Sequence, residues 1–216
     1  MANENFTTYT ETDPNAHIST TSTRVTFAGL HRAETAYLYT DKGAAHFSGN
    51  FTLLVTIHCE GAVDNGAVGL WAITNDLDDI GNLDASLLSH FRVQYNEGSA
   101  NPGTLILVEN DSGGLYGDSV FETTPFTRYL AITRDESIGT YGTLICKVYS
   151  DSARTILEGT ISLTLHSSKK DFRYIFGVSS ISGGTSSQIS NGYIENFDLQ
   201  GAAVTVPWHL FFNRGA

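Results

Sequence analysis

Cysteine is almost absent from this chain. Cys59 and Cys146 are the only two in 216 residues. They are too far apart for the short Cys-x-x-Cys spacing of a zinc site. Each stands inside an apolar run, Val55-Thr56-Ile57-His58-Cys59 and Leu144-Ile145-Cys146-Lys147-Val148. Free thiols packed in a core are therefore expected, and a disulfide is not. Positive charge is also scarce. Lys and Arg total 12 against 23 Asp and Glu, for a net charge of −11. Such a field repels phosphate backbones and anionic lipid, which excludes nucleic acid and an anionic membrane surface as partners. No apolar run nears the roughly 18 residues of a membrane-spanning helix, so no insertion is expected. Met1 to Pro14 has neither the basic start nor the apolar centre of a secretory signal. Charged residues of either sign make up only 16%, below the roughly 25% of an average soluble domain.

Several chemical signatures are missing as well. The seven histidines stand at 17, 31, 46, 58, 90, 166 and 209, with no His-x-His or His-Glu-x-x-His pair. There is no Gly-x-Ser-x-Gly elbow and no glycine-rich loop ending in Lys-Ser or Lys-Thr. No metal and no cofactor are expected. The acidic run Asn75 to Asp84 is the nearest approach to a calcium loop, but Ile80 stands where an oxygen ligand is needed and no Glu closes the loop. A solvated turn is the expectation there. A glucanase on a β-sandwich needs carboxylates on one strand at Glu-x-Asp-x-x-Glu spacing. Glu195-Asn196-Phe197-Asp198 has the wrong spacing and Glu11-Thr12-Asp13 lacks a partner, so the chain is expected not to be an enzyme.

What is abundant is punctuation. Short apolar runs recur from Arg24 to Leu199 between clusters of Gly, Asn, Asp and Ser. Alternation and β-rich composition predict about eleven strands. They cover Arg24–Gly29, Ala36–Thr40, Phe51–Cys59, Ala67–Ile73, His90–Tyr95, Thr104–Glu109, Arg128–Arg134, Thr143–Tyr149, Leu157–Leu165, Phe172–Val178 and Asn191–Leu199. In the third, Phe51, Leu53, Val55, Ile57 and Cys59 share one face. Asp64-Asn65-Gly66 and Asp111-Ser112-Gly113-Gly114 supply turn residues. A single helical turn is expected within Asp84–Ser89. The fold class is all-β, an antiparallel jelly-roll sandwich. It divides into an N-terminal arm 1–23 with scope for an edge strand, a sandwich 24–201 and an apolar tail 202–216.

Two sets of side chains stand out as binding candidates. Trp208, Leu210, Phe211 and Phe212 crowd the tail beyond the last strand, where a free segment should be polar. They are expected to dock on a partner or on the sandwich itself. Tyr116 and Tyr141 lie beside glycines in loops and are candidates to stack on sugar rings. Trp71, in mid-strand, is expected in the core.

Arg128–Arg134, Thr143–Asp151 and Tyr193–Leu199 resemble the closing strands of concanavalin-A-like, laminin-G-type jelly rolls, over roughly Thr23 to Gln200. Tyr9–Asn15, Tyr39–Gly43, Thr133–Gly142 and Leu165–Tyr174 resemble jelly-roll structural proteins of tailed bacteriophages. The second resemblance implies a non-enzymatic virion protein, a capsid decoration or a tail-associated subunit. Such a protein is made in the host cytoplasm and displayed on the virion surface. Its partners would be other virion subunits or copies of itself. It carries over no catalytic residue. The alternative reading is a carbohydrate-binding adhesin module that recognises surface glycans. A glycan-active enzyme stands third.

Overall fold

A computed structural model describes residues 3–97 and 102–201. Trp208, Leu210, Phe211 and Phe212 lie outside the described residues. The strands are β1 (Thr10–Thr12), β2 (Ile18–Thr20), β3 (Arg24–His31), β4 (Tyr37–Asp41), β5 (Phe51–Val63), β6 (Ala67–Thr74), β7 (His90–Asn96), β8 (Gly103–Asp111), β9 (Gly114–Glu122), β10 (Phe126–Asp135), β11 (Thr143–Tyr149), β12 (Leu157–Thr164), β13 (Tyr174–Ser180) and β14 (Ile189–Gly201). One short helix, α1 (Ile80–Ala85), follows β6. The strands form two seven-stranded sheets, ordered β1-β4-β13-β6-β7-β8-β9 and β12-β11-β10-β5-β14-β3-β2. Every pairing is antiparallel. The two late strands are central, with β13 between β4 and β6 and β14 between β3 and β5.

The all-β sandwich is as the sequence indicates, but it has fourteen strands rather than eleven. The three extra ones lie at sheet edges, where the apolar alternation that marks a strand is not required. β1 and β2 have three residues each, too few to show a period. β1 adds to the edge of the first sheet and β2 to the edge of the second, so the N-terminal segment joins both. β9 is mostly exposed, and Leu115 and Phe121 face water. It pairs with β8, while Asp118 Oδ2 accepts the Ser162 N–H across the gap to β12 at 3.2 Å.

The core follows from the period of two. Phe51, Leu53, Val55, Ile57 and Cys59 of β5 all point inward, with Leu144, Cys146 and Val148 of β11 beside them. Phe91, Val93, Tyr95, Leu105 and Leu107 meet them from the opposite sheet. Cys59 and Cys146 are free and buried, and burial pushes the Cys146 thiol up to about 12. Trp71 is buried in the same core.

β6 is buried along its whole length, on both faces. Its outer face is covered by α1, whose Ile80 sits on Gly69 so closely that a Cβ there would collide with Ile80 Cδ1. The helix begins earlier than the sequence suggests because Asp79 caps it. The Asp79 carboxylate accepts the N–H groups of Gly81 and Asn82 at 2.9 and 3.2 Å. α1 then covers a polar row on β7, where His90, Arg92 and Gln94 alternate with Phe91, Val93 and Tyr95. Arg92 Nη1 donates to Asp84 Oδ1 at 2.8 Å, and Asn110 Nδ2 donates to the same oxygen at 2.8 Å. His90 Nδ1 lies 2.9 Å from Leu88 O. Its Nε2 faces the Arg92 guanidinium, so the ring is neutral.

Burial, with Arg92 adding to it, pushes the His90 pKa down to about 4. An unfolded histidine titrates near 6.5. Between those values the unfolded chain binds a proton that the folded one refuses. Stability should therefore fall as pH drops from about 6.5 toward 4, and this contribution should level off below. Urea midpoints measured across that range should show the slope, and His90→Gln should flatten it. An unchanged slope in the variant would assign the acid sensitivity elsewhere.

Candidate functional site

The outer face of the second sheet carries a polar pocket of about 320 Å³, lined by Asn3, Leu54, Thr56, Tyr129, Ser152, Arg154, Glu195, Asn196 and Asp198. Its walls follow from strand register. Leu54 and Thr56 are the outward residues of β5, alternating with the core set. Tyr129 on β10 stands opposite Thr56. On the other side Glu195 pairs with Thr56 and Asp198 with Leu54. Three steps along β14 thus match two along β5, which defines a β-bulge with one extra residue. Asn196 takes the strained place with φ of 57°, and Phe197 turns into the core. The bulge places Glu195 and Asp198 on the same face, whereas strict alternation would put them on opposite ones.

The charges in the pocket are only partly matched. Arg24 grips Glu195 Oε2 through Nε and Nη2 at 2.8 and 2.7 Å. The Arg24 guanidinium also sits 4.0 Å over the Tyr193 ring, which stacks on His58. Arg154, from the turn between β11 and β12, lies over the sheet, and its Nε donates to Leu130 O at 3.3 Å. Burial pushes its pKa down, and Asp198 leads the charges that oppose the shift. Asp198 Oδ2 accepts from Gln200 Nε2 at 3.2 Å. Asp198 Oδ1 is buried and has no hydrogen-bond partner among the described residues. A buried carboxylate oxygen without a donor is costly. Oδ1 is closed to the pocket as it stands, and a rotation of the carboxyl group about Cβ–Cγ would turn it to a hydroxyl group there. Tyr129 adds an aromatic surface beside these acceptors.

The two stacking candidates read from the sequence, Tyr116 and Tyr141, lie outside this pocket. Tyr116 is 38% exposed, and one face of its ring is covered by His166, with centroids 3.5 Å apart and planes 10° apart. Beneath that stack Glu109 is fully buried and binds His166 Nδ1 at 2.9 Å and Lys170 Nζ at 2.7 Å. Tyr141 is partly buried and packs against the main core. Three of the four acids in the run 75–84 are taken up by structure: Asp79 caps α1, Asp78 holds Asn82 at 2.8 Å, and Asp84 binds Arg92. The bulge pocket has one sequence signal, an Asn between two acids in a strand, since Asn tolerates positive φ.

No family model matches the chain, and no curated protein matches it by sequence. Solved structures do match. The exoplasmic/lumenal domain of VIP36, in a form bound to Ca²⁺ and Man3GlcNAc, aligns with a TM-score of 0.61 at 14% identity, covering 91% of this chain and 83% of that one. The legume lectin-like domain from Entamoeba histolytica gives 0.58 at 12% identity, covering 90% of each chain. The fold is the lectin-like jelly roll. The alginate lyase Aly36B also has it, with a TM-score of 0.56 at 12% identity over 90% of this chain and 87% of that one. This last likeness corrects the expectation that the chain is not an enzyme. That expectation tested for one reaction only, hydrolysis by a carboxylate pair at glucanase spacing. Glycan-cleaving enzymes of another class are built on the same sandwich, so a missing glucanase motif excludes nothing beyond glucanases. The bulge also brings two acids to one pocket despite their spacing.

Proposed function

We propose that this chain is a glycan-binding module and that the pocket at the β14 bulge receives a neutral sugar unit. The observation that carries the reading is Asp198 Oδ1, an acceptor without a donor in a pocket that also offers Tyr129, Asn196, Glu195 and Arg154. Sugar hydroxyls donate to carboxylates and amides, and apolar sugar faces lie against aromatic rings. The volume is at the low end for small-molecule sites, which suits one terminal unit rather than a long chain. A net charge of −11 and two carboxylates at the pocket favour neutral sugars over acidic ones. The lectin-like neighbours support the same reading at the level of fold. The resemblance to tailed-phage proteins adds a place for such a module, on a virion surface touching host glycans.

A glycan array with the full chain, followed by calorimetry on the best ligand, tests the proposal. Asp198→Asn should keep the melting temperature and weaken binding at least tenfold, since a hydrogen bond to a charged group contributes about 1.5–3 kcal/mol. No bound glycan, or equal affinity in the variant, would sink it. The alginate lyase likeness gives a second reading, in which the pocket takes an acidic sugar unit against Arg154 and cleaves it. Release of product from a bound glycan, abolished by Glu195→Gln, would favour that reading.

A further inference from the structure

A second polar cluster lies away from the pocket, where the N-terminal segment meets the turn between β3 and β4. His17 stands just before β2, His31 ends β3, and Glu34 lies in the turn. The Glu34 carboxyl group is 2% exposed, while the two imidazoles are 25% and 18% exposed. His17 Nδ1 lies 2.8 Å from Glu34 Oε1, and His31 Nε2 lies 3.9 Å from Glu34 Oε2. One ligand atom from each residue falls within 4.8 Å of the other two. The two rings meet edge to face with centroids 5.3 Å apart.

We propose that His17, His31 and Glu34 form a binding site for a divalent transition-metal ion, zinc in class. Zinc binds nitrogen and oxygen at about 2.0–2.2 Å. Ligand atoms sharing one tetrahedral ion therefore stand about 3.4 Å apart, between the 3.1 and 3.9 Å that separate His17 Nδ1 and His31 Nε2 from the one oxygen Glu34 Oε2. Two imidazoles and one carboxylate suit zinc or cobalt(II). Calcium and magnesium prefer oxygen alone. The groups that would orient the carboxylate are already in place: Asn15 Nδ2 donates to Oε2 at 2.7 Å, and the His31 N–H donates to Oε1 at 2.8 Å. Such outer contacts set ligand geometry in metal sites. Metal binding at His31 Nε2 places the ring proton on Nδ1. The Ala33 N–H, now 3.2 Å from Nδ1, then turns to water, which costs little because Ala33 is exposed. Three protein ligands leave a further position for water, on the open side where the histidines reach solvent. The ion would clasp the N-terminal segment to the sandwich.

The competing account is a hydrogen-bonded knot with no metal. His31→Gln separates the two, because Glu34 is held through His17, Asn15 and the His31 backbone, while the His31 ring stands 3.9 Å from the carboxylate, beyond hydrogen-bond reach. Tag-free protein, stripped with chelator, should bind one zinc ion per chain in calorimetry, and added zinc should raise its melting temperature. His31→Gln should melt in chelator at the temperature of the unaltered protein and bind zinc at least tenfold more weakly. No saturable zinc binding, or equal binding by the variant, would overturn the proposal. Should the variant prove unstable in chelator, the cobalt(II) spectrum of the unaltered protein decides. Strong visible bands of a four- or five-coordinate site support the assignment, and weak bands of a six-coordinate ion overturn it. These outcomes do not depend on whether the chain binds glycans.

Discussion

Glu136→Ala should lower the unfolding free energy by about 3 kcal/mol, although Glu136 itself sits at the edge of the fold. The reason is Arg134, near the end of β10, whose side chain is wholly buried. Its Nη1 donates to Phe47 O at 2.8 Å. Its Nη2 lies 2.7 Å from Glu136 Oε1, an ion pair set off the line of a good hydrogen bond. The guanidinium carbon stands 5.5 Å from the centre of the Phe91 ring. Burial pushes the Arg134 pKa down, and Glu136 is the first of the charges that oppose this shift. Removing Glu136 leaves a buried cation without its nearest counter-charge, which typically costs about 3–5 kcal/mol. The lower end applies because Glu136 is itself 17% exposed. Arg134→Met should cost less, since it removes the charge together with its need for a partner. Equilibrium urea unfolding of both variants checks the order, and a larger loss for Arg134→Met would refute it.

Trp71→Ala should cost about 3–5 kcal/mol, the usual range for deleting a large aromatic from a core. Trp71 is 1% exposed, among the largest buried side chains, and its ring lies 6.3 Å from that of Phe51 across the sandwich. Trp71→Phe should be much milder than the volume change alone implies. The indole Nε1 is buried without a hydrogen-bond partner among the described residues. Phenylalanine removes that unmet donor along with part of the volume, and an unsatisfied buried group costs about 1–3 kcal/mol. The same unfolding measurement compares the two variants. Equal losses would mean that the indole N–H finds water.

The alternating strands were legible in the sequence because one face of each is buried. β5 and β11 are the clearest cases: Leu53, Val55 and Ile57, and Leu144, Cys146 and Val148, carry the pattern unaided. Three of the four edge strands were not, because β9 has water on most of its side chains and β1 and β2 are too short to show a period. The start of α1 was hidden in a run of acids, where one carboxylate, Asp79, caps the helix instead of facing water. The pocket stayed hidden for a different reason. Period-two reasoning sends Glu195 and Asp198 to opposite faces, and only the extra residue at Asn196 reunites them. Likewise His17 and His31 are far apart in sequence, and the antiparallel pairing of β2 with β3 brings their ends together. Glu34, three residues after His31, was the one local hint.

The central places of β13 and β14 bear on how the chain can be made. Synthesis delivers β1 to β4 first, yet in the finished sheets β4 reaches β6 only through β13, and β3 reaches β5 only through β14. Until residues 174–201 have emerged, the first strands can form only the two-stranded ribbons β1-β4 and β2-β3. Such ribbons are marginal in water. A nascent chain growing at about 5–20 residues per second thus spends several seconds with half-built sheets and open strand edges. Both sheets close with the last segment described, so the sandwich has no smaller N-terminal unit to fall back on. Any chain released early would be a substrate for chaperones or proteases rather than a shorter working protein.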